Sequence, residues 1–358
     1  MTPSPSDVVS EAEVLLTRRG CAGIIRLNRP RQLNALTHGM VRAIQGALVN
    51  WQDDPAITRI VITAAGEKAF CAGGDIRALY DMGRAGRIAE ALPFWREEYT
   101  LNHRLKTYPK PVVALINGIV MGGGVGVSLH GSHRVASEKL VFAMPEVSIG
   151  FFPDVGASHV LPRLKHHIGC YLALTGARLG LGDAIELGLA THAVAADRMA
   201  ELSEALTEAE PVDSILKRFV MPAPEAPILA QANEIAALFG EPTLTALFAR
   251  LSEAALRGSA FASQTLAILQ AKSPTSLAIA LEQMRLGVSM SFAEAMQMEF
   301  RIVSRIVQGA DFYEGVRAVL IDKDQAPRWQ PASIADLTDG AIAAHFAPLV
   351  DDLVLEQD

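Results

Sequence analysis

Cysteine is scarce in this chain. Its 358 residues hold only Cys21, Cys71 and Cys170, too few and too widely spaced for a disulfide framework or for the paired spacings of a zinc site. A reducing compartment follows, and the cytoplasm is the expectation. Residues 1–7, Met-Thr-Pro-Ser-Pro-Ser-Asp, lack the basic start and apolar centre of a secretory leader, and the arginines of a transit peptide. Basic excess is missing too. A net charge of −7 argues against nucleic acid or an anionic membrane as the main partner. Uncharged runs of membrane-spanning length are nearly absent. The exception, residues 111–129, carries five glycines, Asn117 and a β-branched start, so strand, turn and helix are expected there and no membrane span. The histidine pairs His130/His133 and His166/His167 have no cysteine or acid at ligand spacing, so no metal is expected.

Apolar residues make up 50% of the chain and charged ones 20%, enough to bury a sizeable core. Residues 14–26 read as a β-hairpin. Residues 37–51 have helical spacing behind a Thr37 cap. Residues 60–63 and 111–117 read as buried strands, the second running through Gly122-Gly-Gly124 into a helix from Val125 to Leu129 and beyond. Residues 134–136 and 140–144 read as a strand pair or one bent strand. This alternation predicts a layered α/β core over residues 1–208. Beyond a proline cluster (Pro211, Pro222, Pro224, Pro227) the pattern turns helical, giving a helical region over 209–358 that packs on the core. Ser291-Phe-Ala-Glu294 and Asp311-Phe-Tyr-Glu314 both match a capping box. The last strong element ends at Asp324-Gln-Ala-Pro327, ahead of an irregular tail.

Two glycine loops share one design of strand, glycine turn and helix start: Gly73-Gly74 before Asp75, and Gly122-Gly-Gly124. The first turn of a helix leaves N–H groups unpaired, and one from each loop could hold a developing oxyanion. Downstream, Phe142-Ala-Met-Pro-Glu-Val-Ser-Ile-Gly-Phe-Phe-Pro-Asp-Val-Gly156 places Glu146 and Asp154 in apolar company. A charge is costly to bury there, so these acids point to proton transfer beside a polarised carbonyl. Cys71 has no histidine in a local nucleophile signature, and a buried thiol is the expectation. The run from Gly122 to Val127 lacks the third glycine of a dinucleotide fingerprint.

The run Arg26-Leu-Asn-Arg-Pro…Asn34-Ala-Leu36, then Ala69-Phe-Cys-Ala-Gly-Gly-Asp-Ile76, Ala114-Leu-Ile-Asn-Gly…Gly122-Gly-Gly124 and Met144-Pro-Glu146 resembles the crotonase (enoyl-CoA hydratase/isomerase) superfamily. The resemblance implies a core of stacked ββα units that binds acyl-CoA thioesters, with CoA as part of the substrate and no separate cofactor. It implies an oxyanion hole at Gly74 and Gly123, CoA-facing positions at Ala35, Ala72, Asp75 and Ile76, and leaves a homo-oligomer open. Hydratases of this superfamily carry a glutamate two residues after the triple glycine, where this chain has Gly126. They tend to have Pro-Gly where it has Pro153-Asp154. Asp154 instead resembles the 3-hydroxyisobutyryl-CoA hydrolase branch. That branch also has an element like Arg96-Glu-Glu-Tyr99, which implies that Glu98 lies near the substrate. Residues 272–277 and 311–324 look like its C-terminal extension.

Thioester hydrolysis of a short branched β-hydroxyacyl-CoA is therefore the expected activity, with Glu146 and Asp154 catalytic. The competing expectations are a lyase or isomerase working through Glu146 alone and a non-catalytic acyl-CoA-binding protein.

Overall fold

The computed structural model describes residues 12–356, so the leader reading of residues 1–7 lies outside it. Strands β1 (Val14–Arg19) and β2 (Ala22–Leu27) form the expected antiparallel hairpin. The chain then coils. On each turn it leaves one strand in a large sheet and the next in a small one. The pairs are β3 (Arg59–Ala64) with β4 (Ala69–Cys71), β5 (Val112–Ile116) with β6 (Ile119–Met121), and β7 (His133–Ala136) with β8 (Val141–Ala143). The short β9 (His192–Ala193) closes the large sheet, whose order is β1-β2-β3-β5-β7-β9. The small sheet has the order β4-β6-β8 and is parallel throughout.

The corner between β5 and β6 needs a glycine. Gly118 has φ +90°, and a Cβ there would lie 2.5 Å from the Lys68 carbonyl oxygen. Two expectations are corrected by this coil. The helix after the triple glycine is the single turn α4 (Gly123–Gly126), because the chain must re-enter the large sheet by His133. Residues 134–136 and 140–144 do not pair; β7 and β8 belong to different sheets. Between them Ser137 turns the chain, its hydroxyl bonding Asn117 at 2.7 Å and accepting the Lys139 N–H.

Helix α1 (His38–Gln52) is capped by Thr37 as expected, through its hydroxyl and the Met40 N–H. Helices α2 (Ile76–Arg84) and α3 (Ile88–Lys106) follow β4. Beyond Met199 the chain is helical. A small core joins the back of the large sheet to the helices Met199–Ala205 and Val212–Lys217. The main core runs without a break from Val14 to Leu353. Among the described residues no helix is long and apolar enough to cross a membrane.

Ser291 and Glu294 do form a capping box, at the start of the helix Phe292–Ile306. Asp311 does not. Gly309 takes the cap position, and Asp311 instead accepts hydrogen bonds from Ser273 Oγ and the Gln330 N–H. The tail is more ordered than expected. It contains the helix Asp339–Phe346, and its end is tied to the core by Arg96 and Arg301, which pair with Asp351 and Asp352.

Candidate active site

The three turns of the coil end side by side. The carboxyl ends of parallel strands gather free N–H groups and short loops, which is where parallel sheets bind ligands. Here β4 delivers Gly73-Gly74-Asp75, β6 delivers Gly122-Gly123, and β8 delivers Pro145-Glu146. Leu36 bridges the first loop by donating its N–H to the Gly73 carbonyl and accepting from the Asp75 N–H. Alternation along an extended strand then turns the intervening Gly74 N–H away from Leu36, toward β6. There Gly123 opens α4 with an N–H that has no partner in its own helix. A Cβ built on Gly123 would lie 3.2 Å from Gly74 N, so the two N–H groups border one small space. Glu98 Oε1 lies 2.6 Å from that same point.

These groups line a cavity of about 360 Å³, and every residue singled out from the sequence borders it: Glu146, Asp154, Gly74, Gly123, Glu98, Ala35, Ala72, Asp75 and Ile76. Asp75 also caps α2 and pairs with Arg29 at 3.0 Å, which fixes the loop from the solvent side. Phe94, Trp95, Phe151 and Ile149 give the cavity apolar walls. The C-terminal residues Val319 and Leu320 complete its lining, from a π-helical turn over Arg317–Ile321. Trp95 and Phe151 stack at 6.0 Å, with Phe312 against both.

Glu98, Glu146 and Asp154 are 2%, 7% and 5% exposed. Burial holds Glu98 and Glu146 well above the usual carboxylate range, and the Asp154 charge raises both further. Burial lifts Asp154 to about 7, against the opposing pull of the Tyr99 hydroxyl, which donates to Oδ2 at 2.8 Å. Acids this close cannot all ionise at once, so the site holds protons near neutral pH and can pass them. Glu98 Oε1 and Glu146 Oε2 have no hydrogen-bond partner among the described residues. Both are therefore available to a ligand. Cys71 is fully buried and its thiol is pushed up to about 12, which removes it as a nucleophile.

Gly126 is buried at the end of α4. A Cβ there would sit 2.7 Å from Asn102 Nδ2 and 2.9 Å from Val155 Cβ. No glutamate can be seated at that position without moving the wall behind Asp154.

Three polar residues around this wall were given no role from the sequence. Tyr99 and Asn102 share a face of α3 with Trp95 and Glu98 at the i, i+3, i+4, i+7 spacing of a helix. The third, Glu299, is a fourth buried acid, contributed by the C-terminal helix Phe292–Ile306. Its signal was present: helical periodicity puts it on the apolar face with Phe292, Met296 and Val303.

Stacked ββα turns with an oxyanion-type pair of N–H groups beside buried carboxylates define an acyl-CoA enzyme of the crotonase class. A family model described as enoyl-CoA hydratase/isomerase matches residues 22–346, and the chain belongs to that family. The protein named 3-hydroxyisobutyryl-CoA hydrolase, mitochondrial, of Xenopus laevis is 46% identical over 95% of this chain and 90% of its own. The human protein of the same name is 44% identical over 94% and 89%. Among solved structures, a Rhodobacter sphaeroides protein titled enoyl-CoA hydratase is 41% identical, with a TM-score of 0.90 over 96% of this chain and all of its own. A Mycobacterium thermoresistibile protein titled carnitinyl-CoA dehydratase is 36% identical, with a TM-score of 0.91 over 96% and 99%.

The cytoplasmic expectation is overturned, because the curated relatives are named as mitochondrial. Its basis was too broad. Three free thiols fit a reducing environment, which does not single out the cytoplasm.

Proposed function

We propose that this enzyme hydrolyses a short branched β-hydroxyacyl-CoA thioester, 3-hydroxyisobutyryl-CoA, to 3-hydroxyisobutyrate and CoA, a step of valine breakdown. The observation that carries this reading is the closed wall at Gly126. Water addition by two glutamates needs an acid there; the chain has none, and any side chain would press on Asn102 and Val155. The names of the relatives at 44–46% identity support the same reaction.

The thioester oxygen takes the Gly74 and Gly123 N–H groups, which stabilise it most as it becomes an oxyanion. Glu146 acts in one of two ways. As a nucleophile it attacks the carbonyl carbon, the C–S bond breaks, and CoA leaves as the thiol after taking a proton. Water then hydrolyses the resulting mixed anhydride and restores Glu146. As a general base it takes a proton from water, the hydroxide attacks, and the proton passes to the departing sulfur. Hydroxylamine trapping yields a Glu146 adduct only by the first route. Asp154 orients the water or tunes Glu146, and Glu98 receives the substrate hydroxyl. The route uses no metal or redox cofactor; CoA enters with the substrate. A homo-oligomer is part of the same proposal, and light scattering on the purified protein tests it.

The titles of the two solved relatives favour a second reading, a lyase working through Glu146 alone. Thiol release and enoyl absorbance, followed together on hydroxyacyl- and enoyl-CoA substrates, separate the two. On the hydroxyacyl-CoA, hydrolysis gives thiol with no change in the enoyl band. A lyase gives the reverse.

A further inference from the structure

Asp154 sits on a turn with unusual backbone. Val155 has φ +52° and Gly156 φ +90°. The left-handed region is unfavourable for a β-branched residue, so surrounding contacts must impose it. Those contacts are visible. The Val155 carbonyl meets His130 Nε2 at 2.7 Å. Gln283 Nε2 donates to the Pro153 carbonyl at 2.9 Å and to Ser158 Oγ at 2.8 Å. Glu299 accepts two of the turn's amides: its Oε2 takes the Gly156 N–H at 2.9 Å and its Oε1 takes the Ser158 N–H at 3.0 Å. It is 0% exposed. A side chain at Gly156 would collide with His130 and Phe292 at 2.6 Å, so the turn fits tightly between core and C-terminal helix.

We propose that Glu299 is a positioning residue for Asp154: by clamping both amides of the turn, it holds the Asp154 carboxyl against Tyr99 and at the cavity beside Glu146. The C-terminal region thereby takes part in the reaction without touching substrate. The chemistry explains the choice of residue. Two converging N–H donors need two acceptor atoms on one side chain, which a carboxylate has and an amide lacks. The titratable groups facing Glu299 are Asp154, Glu98, Glu146 and Tyr99 on the core side. His103, His130 and His159 surround Phe292, two turns earlier on its own helix. The proposal rests on the assignment of Asp154 to the reacting centre.

A double-mutant cycle on the full chain tests it, combining Glu299→Gln with Asp154→Asn. The cycle is run on whichever readout the wild type shows, thiol release or enoyl absorbance, so failure of the hydrolase reading changes the substrate and leaves the cycle intact. Glu299→Gln is expected to lower kcat on the order of 10²-fold, the cost of a misplaced catalytic group, with KM changed by less than about two-fold. In the Asp154→Asn background the same change is expected to cost no more than about three-fold, because residues acting as a unit are not additive. A full, repeated loss in that background overturns the proposal, as does wild-type kcat in Glu299→Gln or a loss confined to KM. Glu299→Asp, which keeps the two-oxygen carboxyl group, carries the same cycle if the glutamine variant does not fold.

Discussion

Replacing Gly123 with alanine places one methyl group where the proposed oxyanion hole would hold the thioester oxygen. The new carbon would lie 3.2 Å from Gly74 N, 3.3 Å from Leu36 Cδ1 and 2.6 Å from Glu98 Oε1. An oxyanion needs to approach each donor to about 2.7–3.1 Å, so this carbon and that oxygen compete for the same space. The backbone does not resist the change, since Gly123 is not among the glycines with positive φ. The closest atom it meets is the end of a glutamate, which can yield, while the Gly74 backbone nitrogen and the Leu36 methyl need shift only slightly, so the stability cost is about 1–2 kcal/mol. The catalytic cost is far larger. Loss of one oxyanion donor costs about 10²–10³ in rate, and the methyl obstructs both. A fall in kcat/KM of about 10³ is expected, or about 4 kcal/mol at 1.36 kcal/mol per decade. Thiol release under kcat/KM conditions and a thermal melt, run together, separate the two costs. A folded Gly123→Ala protein retaining activity within ten-fold of wild type refutes the placement of the oxyanion hole.

Gly126→Ala puts a Cβ 2.7 Å from the Asn102 amide. It should lower stability by about 1–3 kcal/mol in a denaturant titration, without creating hydratase activity. Stability should also depend on pH in an unusual sense. Asp154 and Glu299 are raised to about 7 and about 8 in the folded chain, so between their ordinary values near 4 and these values the folded state binds more protons than the unfolded one. Stability therefore falls as pH rises through that window, on the order of a few kcal/mol; equal melts at pH 5 and pH 8 would show the cluster is not a proton store. Asp154→Asn should flatten part of that slope. Finally, a thiol reagent on the native protein should label Cys21 alone. Cys71 and Cys170 are buried with thiols pushed up to about 12, and rapid reaction of all three would contradict their burial.

Much of the site was legible because its parts are local in sequence. Gly74, Gly123 and Glu146 each stand just past a short buried strand, and a glycine pair or a proline marks each strand end. What brings them together, the parallel pairing of β4, β6 and β8, is long-range. Three-residue strands carry too little periodicity to announce it, which is why residues 134–136 and 140–144 read as a strand pair or one bent strand. Helix lengths failed for a related reason: apolar residues from Val125 to Leu129 suit a helix, but the return to the large sheet cuts it to one turn. Glu299 was missed because its partners, the Gly156 and Ser158 amides, lie more than a hundred residues away. Asp311 shows the opposite error, a local capping pattern overridden by tertiary hydrogen bonds to Ser273 and Gln330.

The proposed chemistry turns on thioester cleavage through Glu146. Its most direct test is CoA release from 3-hydroxyisobutyryl-CoA by the wild-type chain and by Glu146→Gln, with enoyl absorbance followed in the same cuvette. Steady thiol release by the wild type is expected, with no enoyl signal, and a loss on the order of 10³-fold or more in the variant. Undiminished release by Glu146→Gln, or an enoyl signal without thiol, contradicts it.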